Sequence, residues 1–332
     1  MTKRGPSPSR AAMPLRVAVQ MDPLEGIGIS GDSTFALMLK AQALGHQLFH
    51  YLADALTYSD GRLSAGAHEV TVQPVAGNHF HLGEFIVLDL GSDVDVVLMR
   101  QDPPFDLGYI TATHLLERIQ AETLVVNDPA AVRNAPEKLW VLDFAQFMPP
   151  TVLTRSLGVA REFLEQHGEA VLKPLHGNAG KSVFKIGGDG ANLAALLEMF
   201  NVTYREPHVL QAFVPEVAQG DKRIVLVDGK VTGAINRRPG SGEIRSNLAL
   251  GGTAEATELT PTEQDICAAL GPELKRRGLL FVGIDVIGGR WLTEINVTSP
   301  TGIVAIDKFN ATDTPGLIWD VIAGRLAARR NG

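Results

Sequence analysis

Three oxygen-bearing side chains near the C-terminus have types and spacing suited to chemistry. They lie in Gly283-Ile284-Asp285-Val286-Ile287-Gly288-Gly289-Arg290-Trp291-Leu292-Thr293-Glu294-Ile295-Asn296-Val297. Two apolar runs flank a glycine pair, the pattern of a β-hairpin. Glu294 and Asn296 stand two apart on one strand and so share a face. A two-residue turn at Gly289-Arg290 sets Asp285 opposite Glu294. Two carboxylates facing each other across strands repel. A divalent cation relieves that repulsion, and an oxygen-only donor set favours Mg²⁺. Asp285, Glu294 and Asn296 are therefore the candidate metal ligands.

A second group points to phosphate. Val171-Leu172-Lys173-Pro174-Leu175 reads as a strand and runs into His176-Gly177-Asn178-Ala179-Gly180-Lys181-Ser182-Val183-Phe184. Glycines let backbone N–H groups approach a phosphate closely. Gly180-Lys181-Ser182 imitates the end of a P-loop, but Leu175 stands where that motif needs glycine, and a strand rather than a helix is expected to follow. A glycine hairpin folding over phosphates fits better. Lys173, set among apolar residues, needs an anionic partner, as a nucleotide phosphate is. Arg237, Arg238 and Arg245 flank Pro239-Gly240-Ser241-Gly242, with Asn247 just beyond. Arginine forks at that position can grip a carboxylate in a bidentate manner.

These residues need a frame to converge. The first half alternates strand and helix signals: strands at 16–20, 47–52, 95–99 and 123–127, helices at about 32–44 and 110–120. That order predicts an α/β domain with a parallel sheet of Rossmann-like character. Ligands in such sheets sit at the carboxyl ends of strands, where the loops at Asp22 and at 100–106 lie. Pro136 suits the first turn of a new helix, and beyond it the pattern changes to antiparallel α+β, with an Asp228-Gly229 hairpin turn. The expected division is a tail at 1–13, a first domain at 14–134 and a second at 135–330. The second splits into 135–207, carrying the loop at 176–184, and 208–330, carrying the metal hairpin.

Composition bounds the function class. The chain has 332 residues, a formal charge of -7 and 45 % apolar content. The acidic balance argues against a nucleic-acid-coating surface. No stretch approaches the roughly 20 apolar residues of a membrane span, and residues 1–13 lack the apolar core of a secretory signal. The single cysteine, Cys267, cannot build a disulfide framework and suits a cytoplasmic protein.

The motifs together resemble bacterial glutathione synthetase, of the ATP-grasp superfamily, over Val17 to Leu326. Its markers are Met21-Asp22-Pro23, Asp102-Pro103-Pro104-Phe105-Asp106, Glu137-Lys138-Leu139, Leu172-Lys173-Pro174-Leu175, Gly220-Asp221-Lys222-Arg223, Gly251-Gly252, and Glu294-Ile295-Asn296-Val297-Thr298-Ser299-Pro300-Thr301. The resemblance implies an ATP-grasp fold whose antiparallel subdomains sandwich ATP. It implies that Lys138, Lys173, Asp221 and Arg223 contact ATP, that Gly177, Asn178, Ala179, Gly180, Lys181, Ser182 and Val183 cover its phosphates, and that Gln211, Ala212, Phe213 and Val214 meet the adenine. Arg237, Arg245 and Asn247 then act on γ-glutamylcysteine and the transferred phosphate. Asp22, Ser33, Arg100 and Asp102 line the substrate side, and Ser299, Pro300, Thr301 and Gly302 cradle glycine. The metal is Mg²⁺ or Mn²⁺, and the assembly a homodimer or homotetramer.

Two departures stand out: Ala179 replaces a loop glycine, and Thr253 follows Gly252 where arginine is frequent. The metal hairpin is also one residue longer than usual, which predicts a bulge or wider turn. The implied reaction joins γ-glutamylcysteine to glycine through an acyl phosphate, releasing ADP and phosphate. Another ATP-grasp carboxylate–amine ligase and a non-catalytic nucleotide-binding module are the alternatives.

Overall fold

The structure, a computed structural model, describes residues 14–177, 180–240, 245–246 and 251–331. Asn178, Ala179 and Asn247 lie outside the described residues.

The first part of the chain is an α/β layer. Its strands are β1 (Arg16–Gln20), β2 (Gln47–Tyr51), β3 (Leu56–Ser59), β4 (Arg62–Val72), β5 (Phe80–Asp89), β6 (Val96–Met99) and β7 (Leu124–Val126). Helices α1 (Ser33–Ala43), α2 (Leu107–Glu117) and α3 (Pro129–Arg133) connect them. The sheet order is β3-β4-β2-β1-β6-β7, with β5 paired to β4. The β2-β1-β6-β7 half is parallel, as the alternating pattern predicts. The β3–β4–β5 meander is antiparallel and was not anticipated. Its alternation, Leu63, Ala65, Ala67, Val70, Val72, rests on small alanines that carry little hydrophobic signal. Asp32 caps α1 by accepting from Phe35 N–H at 2.7 Å, and Asp106 caps α2 by accepting from Tyr109 N–H at 2.9 Å. Each cap stabilises by about 1 kcal/mol. The second cap starts α2 three residues before the expected Ile110.

A turn and a 3₁₀ segment (Trp140–Phe147) follow, not the regular helix expected after Pro136. Phe144, at φ -117° and ψ 34°, breaks the segment. A four-stranded antiparallel sheet comes next, in the order β10 (Phe184–Ile186), β9 (Ala170–Lys173), β11 (His208–Ala212), β8 (Thr151–Thr154). It is backed by α4 (Leu157–His167) and α5 (Leu193–Thr203). A cut at 207/208 would separate β11 from the strands it pairs with. The last sheet has the order β14 (Thr253–Ala256), β13 (Lys230–Arg238), β12 (Asp221–Val227), β15 (Phe281–Ile287), β16 (Trp291–Asn296), all antiparallel. Helices α6 (Pro261–Arg277), α7 (Ile303–Asn310) and α8 (Thr314–Asn331) flank it. The Asp228-Gly229 turn adopts φ of 49° and 78°, the left-handed pair a two-residue hairpin needs.

This last sheet is apolar on both faces. Ile224, Leu226, Ile284 and Val286 enter a cluster with Trp140 and Val141. Val225, Val227, Ile235 and Phe281 enter another with Val17, Val19 and Leu98 of the first sheet. Period-two alternation thus joins the sheet to the 3₁₀ segment by one set of residues and to the first sheet by the other. No helix among the described residues is long and apolar enough to cross a membrane.

Candidate active site

The hairpin β15–β16 turns through Gly288, Gly289 and Arg290, with φ of 61° and 68° at the glycines. The turn is one residue wider than the simplest reading, and a register shift beside Asp285 compensates for it. Val286 pairs with Leu292, whereas Asp285 pairs with Glu294, leaving Thr293 as the extra residue. The bulge restores Asp285 and Glu294 to opposite positions on one face. Asn296 lies one step further, its Nδ2 donating to Asp285 Oδ2 at 3.4 Å.

The repulsion expected between these carboxylates is already answered by arginine. Arg223 donates to Asp285 from Nε at 2.6 Å and from Nη2 at 3.0 Å. Arg237 Nη2 lies 3.1 Å from Asp285 and donates to Asp221 Oδ2 at 2.7 Å. Gly283 makes room for this, since a Cβ there would sit 3.1 Å from Arg223 Cδ. Burial would push the Asp285 carboxyl up, but the two guanidiniums hold it well below the usual carboxylate range. Burial raises Asp221 despite Arg237. Glu294 pairs with Lys138 at 3.4 Å.

Beside them lies Glu137, which the sequence offers only as part of a motif. Glu137 is half-buried and lines the cavity described below, and desolvation pushes it up to about 7, with Lys138 opposing and Glu294 adding to the shift. Thr298 Oγ1 donates to it at 2.8 Å. The adjacent Lys138 also donates to the Gly177 carbonyl, so residues 137 and 138 tie β16 to the glycine loop. Lys173 donates to Gln211 Oε1 at 3.3 Å, and burial lowers its pKa.

A cavity of about 340 Å³ brings most of the candidates together, within the ordinary range of small-molecule sites. One wall is apolar, with Val171, Val183, Ala212, Phe213, Val214 and Ile287, suited to a flat heterocycle. The polar end holds Lys173, Asp221, Arg223, Arg237, Arg245, Asp285, Glu294 and Asn296. Gly180, Gln211, Asp102, Ser299, Pro300 and Thr301 also line it. Gly180, at φ 71°, packs against Arg245, whose Cδ would lie 3.2 Å from an added Cβ. Lys138, Gly177, Lys181, Ser182, Asp22, Ser33, Arg100 and Gly302 are not lining residues. Lys138 and Asp22 touch the lining from behind: Lys138 through Glu294, and Asp22 by accepting from Asp102 N–H at 2.7 Å. Ser246, unanticipated, donates to Asp221 Oδ2 at 2.8 Å. Neither Ser246 nor Glu137 carries a local signal, since both gain their place from distant segments.

The donor chemistry fits a hard divalent cation. Two carboxylates and an amide oxygen front one cavity, beside Lys173 and three arginines that suit phosphate oxygens. No three His, Cys, Asp or Glu side chains among the described residues form a ready cage. Mg²⁺ bound through one or two carboxylates plus substrate phosphates needs none. Asp221 Oδ1 and Arg237 Nε are buried without hydrogen-bond partners among the described residues. A polar ligand would supply such partners.

Comparison with known proteins matches residues 15–133 to the prokaryotic glutathione synthetase N-terminal domain and residues 137–311 to the prokaryotic glutathione synthetase ATP-grasp domain. A glutathione synthetase of Rhodopseudomonas palustris is 55 % identical over 315 residues, covering 95 % of this chain and 100 % of the relative. One from Shewanella oneidensis is 43 % identical over 314 residues, covering 94 % and 99 %. Among solved structures, the D-cycloserine synthetase DcsG superposes with a TM-score of 0.67 at 17 % identity, covering 94 % of this chain and 99 % of that one. The ATP-grasp ligase PsnB, complexed with minimal precursor, Mg and ADP, gives 0.59 at 17 % identity, with 94 % and 98 % covered. At such identity these two structures show the shared fold.

Proposed function

We infer the activity from one premise: the chain belongs to the prokaryotic glutathione synthetase family. It is an ATP-dependent carboxylate–amine ligase that joins γ-glutamylcysteine to glycine, giving glutathione, ADP and phosphate. The observation that supports this best is the convergence in one cavity of an oxygen-donor trio, a cationic group and an apolar wall. Its domains are 14–134 and 135–330.

A free carboxylate is a poor acyl donor because oxide would have to leave. The γ-phosphoryl of ATP therefore moves to the cysteinyl carboxylate, forming an acyl phosphate as the bond to ADP breaks. The glycine nitrogen attacks the acyl carbon, and the C–O bond to phosphate breaks. Phosphate leaves with one oxygen of the original carboxylate. The chain's residues hold three anions together. The wall from Gln211 to Val214 seats the adenine. Lys138, Lys173 and the 177–183 loop hold the triphosphate. Arg237, Arg245 and Asn247 orient the dipeptide carboxylate. Ser299 to Gly302 seat glycine. Asp285, Glu294 and Asn296 would hold Mg²⁺, or Mn²⁺ in its place. That cation, when bound, offsets charge on the β- and γ-phosphates. Closure of the loop excludes water from the acyl phosphate.

The work is assigned to the cytoplasm, where ATP and reduced thiols are abundant, and to a homodimer or homotetramer, which sedimentation can check. The test of function is ADP release by purified protein with ATP, Mg²⁺, γ-glutamylcysteine and glycine. Release that needs all three organic compounds is the expected result. Release that follows another acceptor but ignores glycine would favour a different ligase of the same fold.

A further inference from the structure

The loop from Thr298 to Gly302 is held at every residue. Thr298 donates to Glu137 at 2.8 Å. Ser299 Oγ donates to the Arg100 carbonyl at 3.3 Å. The Pro300 carbonyl accepts from Arg100 Nη2 at 2.9 Å. The Thr301 carbonyl accepts from Arg223 Nη1 at 3.0 Å. Gly302 N–H donates to Ser33 Oγ at 3.1 Å. Ser299, Pro300 and Thr301 line the cavity, whereas Ser33 and Arg100 stand behind the loop.

Two of these holds reach across from the first sheet. Ser33 is the first residue of α1 and is 0 % exposed. Arg100 follows β6 and is 5 % exposed. Its Nε donates to Thr34 Oγ1 at 3.0 Å, and its guanidinium lies 5.0 Å from the Phe281 ring centroid. Nε is thus spent on Thr34, Nη2 on Pro300 and one face of the guanidinium on Phe281, while Nη1 is buried without a hydrogen-bond partner among the described residues. A buried arginine whose Nη2 ends on a loop carbonyl restrains that loop, because the planar guanidinium tolerates little misalignment.

We propose that Ser33 and Arg100 are positioning residues for the acceptor amine: they touch no substrate, and through the 299–302 loop they set the depth and width of the seat that admits it. This rests on the reading of the chain as a ligase that uses glycine. A small acceptor offers few contacts, so its binding depends strongly on the rigidity of the surface it meets. ATP binds to the other wall and does not share that dependence.

The experiment measures separate KM values for ATP, γ-glutamylcysteine and glycine in the full chain, in Ser33→Ala and in Arg100→Lys, with the thermal midpoint of each. Ser33→Ala removes one hydroxyl without adding volume, and Arg100→Lys keeps the charge but loses the fork. The expected result is a glycine KM raised at least 5-fold in Ser33→Ala and further in Arg100→Lys, with the ATP KM within 2-fold of the parent. A glycine KM unchanged in Ser33→Ala overturns the proposal, as does a common rise in all three values, which marks a merely structural role. If Arg100→Lys does not fold, Ser33→Ala decides alone. Failure of the parent chain itself to turn over glycine is a separate result, and it overturns the functional reading on which this one stands.

Discussion

At Asp285, Arg223, Arg237 and Asp221, opposite charges alternate through a buried site. The oxygen-donor trio was legible from period-two spacing and the glycine turn between its strands. Its neutralisation was not, because the arginines come from β12 and β13, over forty residues away. Glu137 is the group whose environment makes the sharpest statement at this scale. Its folded pKa of about 7 lies above the ordinary 4.5, so the folded state keeps a proton that the unfolded state gives up between those values. The stability it contributes is therefore whole below pH 4.5 and falls as pH rises towards 7, by up to about 3 kcal/mol. Urea unfolding without nucleotide or cation, between pH 5 and 8, should show this fall in the parent and a flatter profile in Glu137→Gln. Equal slopes in the two proteins would contradict it.

Among elements, the hairpin β15–β16 shows how backbone register carries function. The sequence indicated both the opposition of Asp285 to Glu294 and an extra residue, but not that Thr293 would absorb it. Strand faces invert with a one-residue slip. Deleting Ile295 should therefore pair Asn296 with Ile284 and turn it to the apolar face, away from Asp285 and Glu294. The expected outcome is loss of ADP release by at least 100-fold with far-ultraviolet circular dichroism preserved. An active deletion variant would show that Asn296 need not share the face of the two carboxylates. The parallel half of the first sheet was readable because its strands are buried apolar runs. The β3–β5 meander was not, since exposed Phe85 and Val87 on β5 obscure which face is inner.

The whole molecule is joined by a few buried polar bridges laid over shared apolar clusters. Asn127, just past β7, donates from Nδ2 to the carbonyls of Phe281 and Val297, each at 2.8 Å, and accepts from Phe281 N–H at 2.8 Å. It therefore ties the first sheet to both strands of the metal hairpin. Nothing in the sequence around Asn127 announces this, because its partners lie 154 and 170 residues away. Asn127→Ala strands three backbone groups, each costing about 1–3 kcal/mol if left dry. A loss of about 3–6 kcal/mol in urea unfolding is expected, and a change under 1 kcal/mol would show the bridge to be incidental. The central claim is that this assembled site activates a carboxylate by phosphorylation. It is tested most directly with γ-glutamylcysteine carrying ¹⁸O in its cysteinyl carboxylate, incubated with ATP and glycine. One ¹⁸O in each phosphate released is the result predicted, and phosphate free of label alongside glutathione formation would contradict it.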